Sequence, residues 1–484
     1  MEPQEVLRDA ESSVKGRRRS EAVEQINYLI ESNALLGEDW LKVAHMALAI
    51  GESNSARQAA DRYYRASGKT VDAAIKAAGI VAETGHLNDA LKYVEKAARK
   101  DQANPALYHI VGTIKAQLGQ LTEARENLSK VLSLSPHLGI TWYTLASITD
   151  FSRVDAVYKK LVAAEQSIAD KSDQNYALYC YAKAKAFADK GDYDAAERAI
   201  NAGAKLFMHQ QPFDIKRNRQ VVDKIIAANT ADKLTQLPSS NTDAQRTTAI
   251  LGLPRSGTTL LGQILTTHSE FAGAGEFAGI AAATLHLSSE DTYNFPAFME
   301  RHGEPQMAVD FMSDIYHSVA AQRFGETGRL VDKTFLLNRR FGIFKQLAPN
   351  AKAIYLRRDV NDVAWSCFKT PFRSGHPWSW HPQSIAEYIK SEHKLLEHWQ
   401  SVYGDEILVI DYEQLVSEPR ETLVKICSHI GVVFEPSMLD FHRSSHPVLT
   451  SSLGQVHREL NDNAVKRSQN YDRFVQAFRH YYDK

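Results

Sequence analysis

The sequence predicts an α-helical solenoid followed by an α/β domain with a parallel sheet, in a chain of 484 residues. Three observations carry that expectation. Small residues recur at a fixed interval through the N-terminal part of the chain. The texture turns polar and irregular between Asn229 and Arg246. Beyond it, short apolar runs alternate with longer helical patterns, as strands joined by crossover helices do.

Gly51, Gly85 and Gly119 are 34 residues apart, and Ala22, Ala56, Ala90 and Ala124 keep the same period. Gly191 and Ala196 repeat the pair after two slightly longer units. Two helices per 34 residues is the period of the tetratricopeptide repeat (TPR). In the best unit, "PALYHIVGTIKAQLGQLTEARENLSKVLSLSP", Gly112 is the small residue of the first helix and Gly119 makes the turn. Ala124 sits in the close helix contact and Pro136 ends the second helix. About five such units run from Gly37 to Gln210, with a half-unit before them and an irregular one around Leu138 to Asn175. Their apolar residues are read as inter-repeat core, and Tyr63, Tyr64 and Arg65 as packed or solvated helix. The concave face is where a protein or peptide partner is expected. The basic run "KGRRRS" at Lys15–Ser20 is read as a solvated helix start. The expected domains are a TPR array over 1–228, a linker over 229–246 and an α/β domain over 247–484.

Composition excludes several classes. The hydrophobic fraction of 44% and charged fraction of 24% are those of a soluble globular chain. A formal net charge of −1 counts against a nucleic-acid partner. No run of apolar residues is long enough for a membrane span, and no apolar leader opens the sequence. Cys180, Cys367 and Cys427 are too scattered for a disulfide framework or a zinc site, so a reducing, cytoplasmic setting is expected. The cluster His376, Trp378, Trp380 and His381 reads as a packed loop or one bordering an acceptor pocket. No carboxylate or Cys pattern completes a metal site there, so no metal is expected. Nothing in the sequence bears on oligomeric state.

In the second half, "TTAILGL", "RLV", "AKAIYL" and "EILVI" read as buried strands. The first runs into "GLPRSGTT", Gly252–Thr259, which opens the helix "TLLGQILTTH". This is a phosphate-loop-type arrangement, with N–H groups at a helix N-terminus facing an anion. The pattern G-x-x-x-x-G-K-[ST] is complete except that Thr258 stands where the Lys would be. Without that cation on the β- and γ-phosphates, and without an apolar run ending in a magnesium-binding Asp, a kinase or NTPase becomes the alternative reading.

"GLPRSGTTLL" resembles the 5′-phosphosulfate loop of sulfotransferases that use 3′-phosphoadenosine 5′-phosphosulfate (PAPS). The resemblance implies that Arg255, Ser256, Gly257, Thr258 and Thr259 bind that cofactor. "AIYLRRDVNDVAWSCF" is similar to the family's second signature, which implies that Arg358 and Ser366, eight residues apart, hold the 3′-phosphate. Arg357 is the next candidate. An Arg fork and a hydroxyl suit a dianion. The chain looks nearest to the branch of protein-tyrosine sulfotransferases and repeat-fused bacterial sulfotransferases. By that resemblance "FAGAGEF" carries the catalytic base, Glu276, and "LVDKTFLLN" a catalytic lysine, Lys333. "TSSLGQVHREL" places Ser452 on the cofactor, and Arg467 is a further basic residue there. Ser468 follows Arg467 where the family usually has an aromatic. The resemblance covers Thr247 to Tyr471 and implies sulfuryl transfer to an acceptor hydroxyl. Arg255 would lie near the bridging oxygen, Lys333 near the departing phosphate, and no magnesium would be needed. A protein tyrosine is one acceptor it suggests. A carbohydrate, a lipid or a small phenol stays open, as does a TPR scaffold with an inactive sulfotransferase-like domain.

Overall fold

The computed structural model describes residues 2–168, 170–241, 247–372, 376–443 and 465–484. From Pro3 to Gln210 it is a succession of helices joined by short connections. The 34-residue period is visible as geometry. Gly51, Gly85, Gly119 and Gly191 all have φ between 78° and 86°, a left-handed conformation that lets each helix end and the chain turn into the next. Ala22, Ala56, Ala90, Ala124 and Ala196 are completely buried, because a larger side chain would hold neighbouring helices apart. The irregular unit consists of two nine-residue helices, Gly139–Ser147 and Asp155–Ala163, with a 3₁₀ turn at Ala164–Ser167. Bulky residues replace alanine there: Trp142, Phe151 and Tyr179 fill its core, and the Tyr179 hydroxyl donates to the Leu161 carbonyl at 2.6 Å.

Two expectations change. The segment before Gly37 is a complete helix pair, Pro3–Lys15 and Arg19–Glu31, rather than half a unit. Its basic run is solvated except at Arg19. Arg19 is buried, paired with Glu52 and donating to the Ile50 carbonyl, and Arg17 donates to the Leu287 carbonyl. The linker holds a short helix, Ala231–Thr235. Ser240 N–H then donates to the Gln346 carbonyl at 2.8 Å, and residues 242–246 lie outside the described set. Tyr63 and Tyr64 are buried, so they pack rather than line a groove.

The C-terminal half contains a five-stranded parallel sheet. Its strands are β1 (Thr247–Gly252), β2 (Phe271–Gly275), β3 (Arg329–Asp332), β4 (Lys352–Arg357) and β5 (Ile407–Asp411), in the order β2-β3-β1-β4-β5. β1 pairs with β3 from Thr247↔Leu330 to Ala249↔Asp332, β2 reaches Asp332 through Gly275, and β4 runs level with β5 from Ala353↔Ile407. β1 and β4 are buried along nearly their whole length, as strands covered on both faces are.

The chain forms two compact units, one of residues 1–114, 224–249 and 269–352, the other of residues 115–223, 250–268 and 353–484. Each combines repeat helices with strands. In the first, Gln322 of the helix Pro305–Phe324 donates to Glu52 at 2.9 Å and accepts from the Asn54 N–H at 3.1 Å. Arg323 beside it donates to the Thr84 carbonyl. In the second, Arg219 grips Glu387 with two nitrogens, Asn218 donates to Ser391 at 3.0 Å, and Phe207 stacks on Trp380 at 5.1 Å. No helix among the described residues is long and apolar enough to cross a membrane.

Gly85 is required twice over. Its φ is +85°, and a Cβ there would fall 0.9 Å from the Arg323 guanidinium. Gly85→Ala is therefore expected to lose about 1–2 kcal/mol from the backbone alone and to displace Arg323 from Thr84. Thermal melting of the full chain, beside Gly68→Ala as an equally left-handed site with open space, measures the difference.

Candidate active site

The phosphate-loop segment leaves β1 at Gly252 and enters the helix Thr258–Leu265 through Gly257 at its N-cap. The first-turn N–H groups and the positive end of the helix dipole thus face out of that terminus. Both glycines are dictated by space. A Cβ on Gly252 would lie 2.8 Å from the Ser256 hydroxyl, and one on Gly257 would lie 2.5 Å from the Tyr412 ring. Arg255, a non-glycine residue, is held at φ 70°, the kind of strain that persists only where surroundings enforce it.

Those surroundings are visible. Arg255 Nε donates to Ser366 Oγ at 3.1 Å, and Arg358 Nη1 donates to the Arg255 carbonyl at 3.0 Å. The Arg358 guanidinium lies over the Tyr412 ring at 4.4 Å. Arg357 points elsewhere, gripping Asp411 of β5 with bonds of 2.6 and 2.9 Å. Asp359 caps the helix Val360–Phe368, which carries Ser366 about two turns on from the cap. Buried Asp362, 3.8 Å from Arg358, accepts the N–H groups of Lys466 at 2.6 Å and Ser468 at 2.9 Å. It thereby anchors the segment that carries exposed Arg467. Ser452 lies outside the described residues.

Lys369, just past that helix, was not singled out in the sequence. Burial first, then the charges of Arg467, Arg255, Arg358 and Lys185, pull its ammonium down to about 7. Burial likewise pulls Arg255 below its ordinary value. Near them Ser256, 1% exposed, has a hydroxyl with no hydrogen-bond partner among the described residues. Crowded, desolvated cations beside an unpaired buried hydroxyl fit an anionic group of more than one charge.

At the other strand ends, Lys333 Nζ donates to Glu276 Oε1 at 3.0 Å, the lysine buried and the carboxylate half exposed. Glu276 follows β2 and Lys333 follows β3, which run side by side to Gly275↔Asp332. Asp332 is not the partner of Lys333. Its carboxylate accepts from the Tyr316 hydroxyl at 2.9 Å and the Thr334 N–H at 2.9 Å, and burial raises its pKa. Thr334 also ties itself to Phe277 through two bonds, fixing the turn beside Glu276. The small residues of "FAGAGEFAG" make room for rings: a Cβ on Gly273 would meet Phe324 at 2.6 Å, and one on Gly279 would meet Phe277 at 2.4 Å.

Residues 248–436 match the family model described as "Sulfotransferase family", and residues 105–138 match "Tetratricopeptide repeat". An uncharacterized protein of Aquifex aeolicus (strain VF5) is 25% identical over 379 residues, 76% of this chain and 48% of its own. A protein-tyrosine sulfotransferase of Drosophila melanogaster is 24% identical over 224 residues, 44% of each chain. The chain thus spans about half the length of these curated relatives. Among solved structures, the sulfotransferase domain from the Synechococcus PCC 7002 olefin synthase aligns with 50% of this chain and 98% of its own, at 21% identity and a TM-score of 0.34. The chain thus carries a stretch, residues 248–436, that matches the sulfotransferase family, and another, residues 105–138, that matches the tetratricopeptide repeat.

Proposed function

We propose that the chain moves a sulfuryl group from PAPS to an acceptor hydroxyl. The observation that carries this reading is the cluster of Arg255, Arg358, Ser366 and Lys369 around a phosphate loop that lacks the lysine of nucleoside triphosphatases. When bound, PAPS supplies a sulfuryl group whose bond to the bridging phosphate oxygen breaks as that to the acceptor oxygen forms. Ser256, Thr258, Thr259 and the loop N–H groups would hold the 5′-phosphosulfate, with Gly257 allowing close approach. Arg358, Ser366 and Lys369 would hold the 3′-phosphate, with Arg467 and Ser452 adding contacts. Glu276 would take the acceptor's proton, and Arg255 and Lys333 would offset charge on the bridging oxygen. The reading includes a reducing, cytoplasmic setting, which three buried free cysteines support. It also includes a protein or peptide partner on the repeats, which the TPR match supports.

Transfer from ³⁵S-labelled PAPS to peptides, sugars and phenols tests the proposal, with calorimetric binding of the product nucleotide PAP (adenosine 3′,5′-bisphosphate) alongside. Labelled product together with PAP binding is expected. ATP binding in preference to PAP would favour a kinase or NTPase, and PAP binding without label on any acceptor an inactive scaffold.

Lys369 gives a pH signature. Burial first, then the neighbouring charges of Arg467, Arg255, Arg358 and Lys185, hold its pKa low, so above about 7 it is largely neutral. An anion binds the protonated form, so raising the pH from 7 to 8.5 is expected to weaken PAP binding by up to about tenfold per unit. Lys369→Met is expected to flatten that slope. Calorimetry across the range measures both.

A further inference from the structure

Tyr316, in the helix Pro305–Phe324, is completely buried between the chain neighbours of Glu276 and Lys333. Its hydroxyl donates to Asp332, the residue before Lys333, at 2.9 Å. Its ring lies 5.5 Å from that of Phe277, the residue after Glu276. The two strand ends are also tied directly. The Lys333 N–H donates to the Gly275 carbonyl at 3.1 Å, and Thr334 bonds Phe277 in both directions at 3.2 and 3.3 Å. Asp332 joins these ties by accepting the Thr334 N–H at 2.9 Å on its other oxygen.

Asp332 is completely buried, and a buried carboxylate is costly unless donors satisfy it. The Tyr316 hydroxyl and the Thr334 N–H meet one oxygen each. Burial, then the charge of Asp332, raise the Tyr316 pKa, so the phenol stays a donor. Lys333 follows Asp332 directly and attracts the same carboxylate. With Tyr316 in place, the ammonium is left to Glu276 at 3.0 Å. The helix that carries Tyr316 is itself held by the repeats. Tyr316, Val319 and Arg323 recur at helical spacing on one face. A Cβ on Gly51 would meet Val319 at 3.3 Å and Ala278 at 3.4 Å, so this repeat turn packs on both the helix and the segment after Glu276. Arg323 holds the next repeat turn at Thr84.

We infer that Tyr316 is a positioning residue for the Glu276–Lys333 pair: its hydroxyl satisfies Asp332, which leaves the lysine to Glu276, and its ring backs the turn at Phe277. That the pair performs chemistry rests on the sulfuryl-transfer reading. Its geometry does not.

A zero-length cross-link reads the pair without cofactor or acceptor. In the full chain, a water-soluble carbodiimide joins a carboxylate to an amine in contact with it, and mass spectrometry identifies the linked peptides. The wild type is expected to give the Glu276–Lys333 link. Tyr316→Phe, which keeps the ring, is expected to reduce its yield about tenfold. Combining Tyr316→Phe with Asp332→Asn is expected to recover most of it, because the competing charge is gone. The link between Lys224 and Glu290, an exposed pair at 2.7 Å in the same unit, is expected to stay unchanged throughout. Transfer from ³⁵S-labelled PAPS to the peptides, sugars and phenols is expected to fall about 10- to 100-fold in Tyr316→Phe, with PAP affinity unchanged. No Glu276–Lys333 link in the wild type, an equal yield or equal transfer in Tyr316→Phe, or no recovery in the double variant would overturn the inference. Parallel loss of the Lys224–Glu290 link would overturn it too, by making the hydroxyl a support of the whole unit. A wild type that binds no PAP would overturn the sulfuryl-transfer reading alone, since the cross-link still judges the pair.

Discussion

Glu276→Gln is expected to lower kcat for sulfuryl transfer by ~10²–10⁴-fold with PAP affinity unchanged. Gln keeps the shape and the hydrogen-bond contact with Lys333 but cannot take a proton. The carboxylate is half exposed at the end of β2, so its loss leaves the core intact. Lys333 supplies the second half of the argument: it is buried and fixes the carboxylate at 3.0 Å. Lys333→Met is expected to reduce kcat as well, by releasing Glu276 and by removing charge from the bridging oxygen. Single-turnover kinetics with labelled PAPS separates chemistry from binding. Wild-type kcat in Glu276→Gln would remove it from the role of base.

Arg358→Ala is expected to weaken PAP binding by about 2–5 kcal/mol, roughly 30- to 4,000-fold. The same change should cost far less for adenosine 5′-phosphosulfate, which lacks the 3′-phosphate. Arg358→Lys keeps the charge but not the planar fork, so it should recover only part of the affinity. Arg357→Ala is the internal contrast. Its guanidinium already grips Asp411 at the surface, so little change is expected. Equal losses from the two arginines, or equal losses with the two nucleotides, would reject the assignment.

Much of this molecule is legible in its sequence. The repeat period needed only Gly at each left-handed turn and Ala at each tight contact, and both follow from local sterics. Strands β1, β3, β4 and β5 announced themselves as β-branched or apolar runs. β2 did not. "FAGAG" has glycine and alanine where strand formers are expected, because Phe324 fills the space that side chains would take. The loop was legible because Gly252 and Gly257 sit at a spacing set by the backbone itself.

Other features belong to the fold alone. Lys369 looks like any helix-end lysine until Arg255, Arg358, Arg467 and Lys185 are gathered around it from distant stretches of the chain. The Lys333–Glu276 pair links residues on two different strands, and the choice of Glu276 over adjacent Asp332 depends on Tyr316 capturing the latter. Arg357 and Arg358 are neighbours in sequence, yet β4 directs one to Asp411 and the other to the loop. Local sterics, a property of neighbours in the chain, decided the helices, turns and loop. Charge crowding, burial and side-chain direction act between segments far apart in sequence, and only tertiary packing sets them.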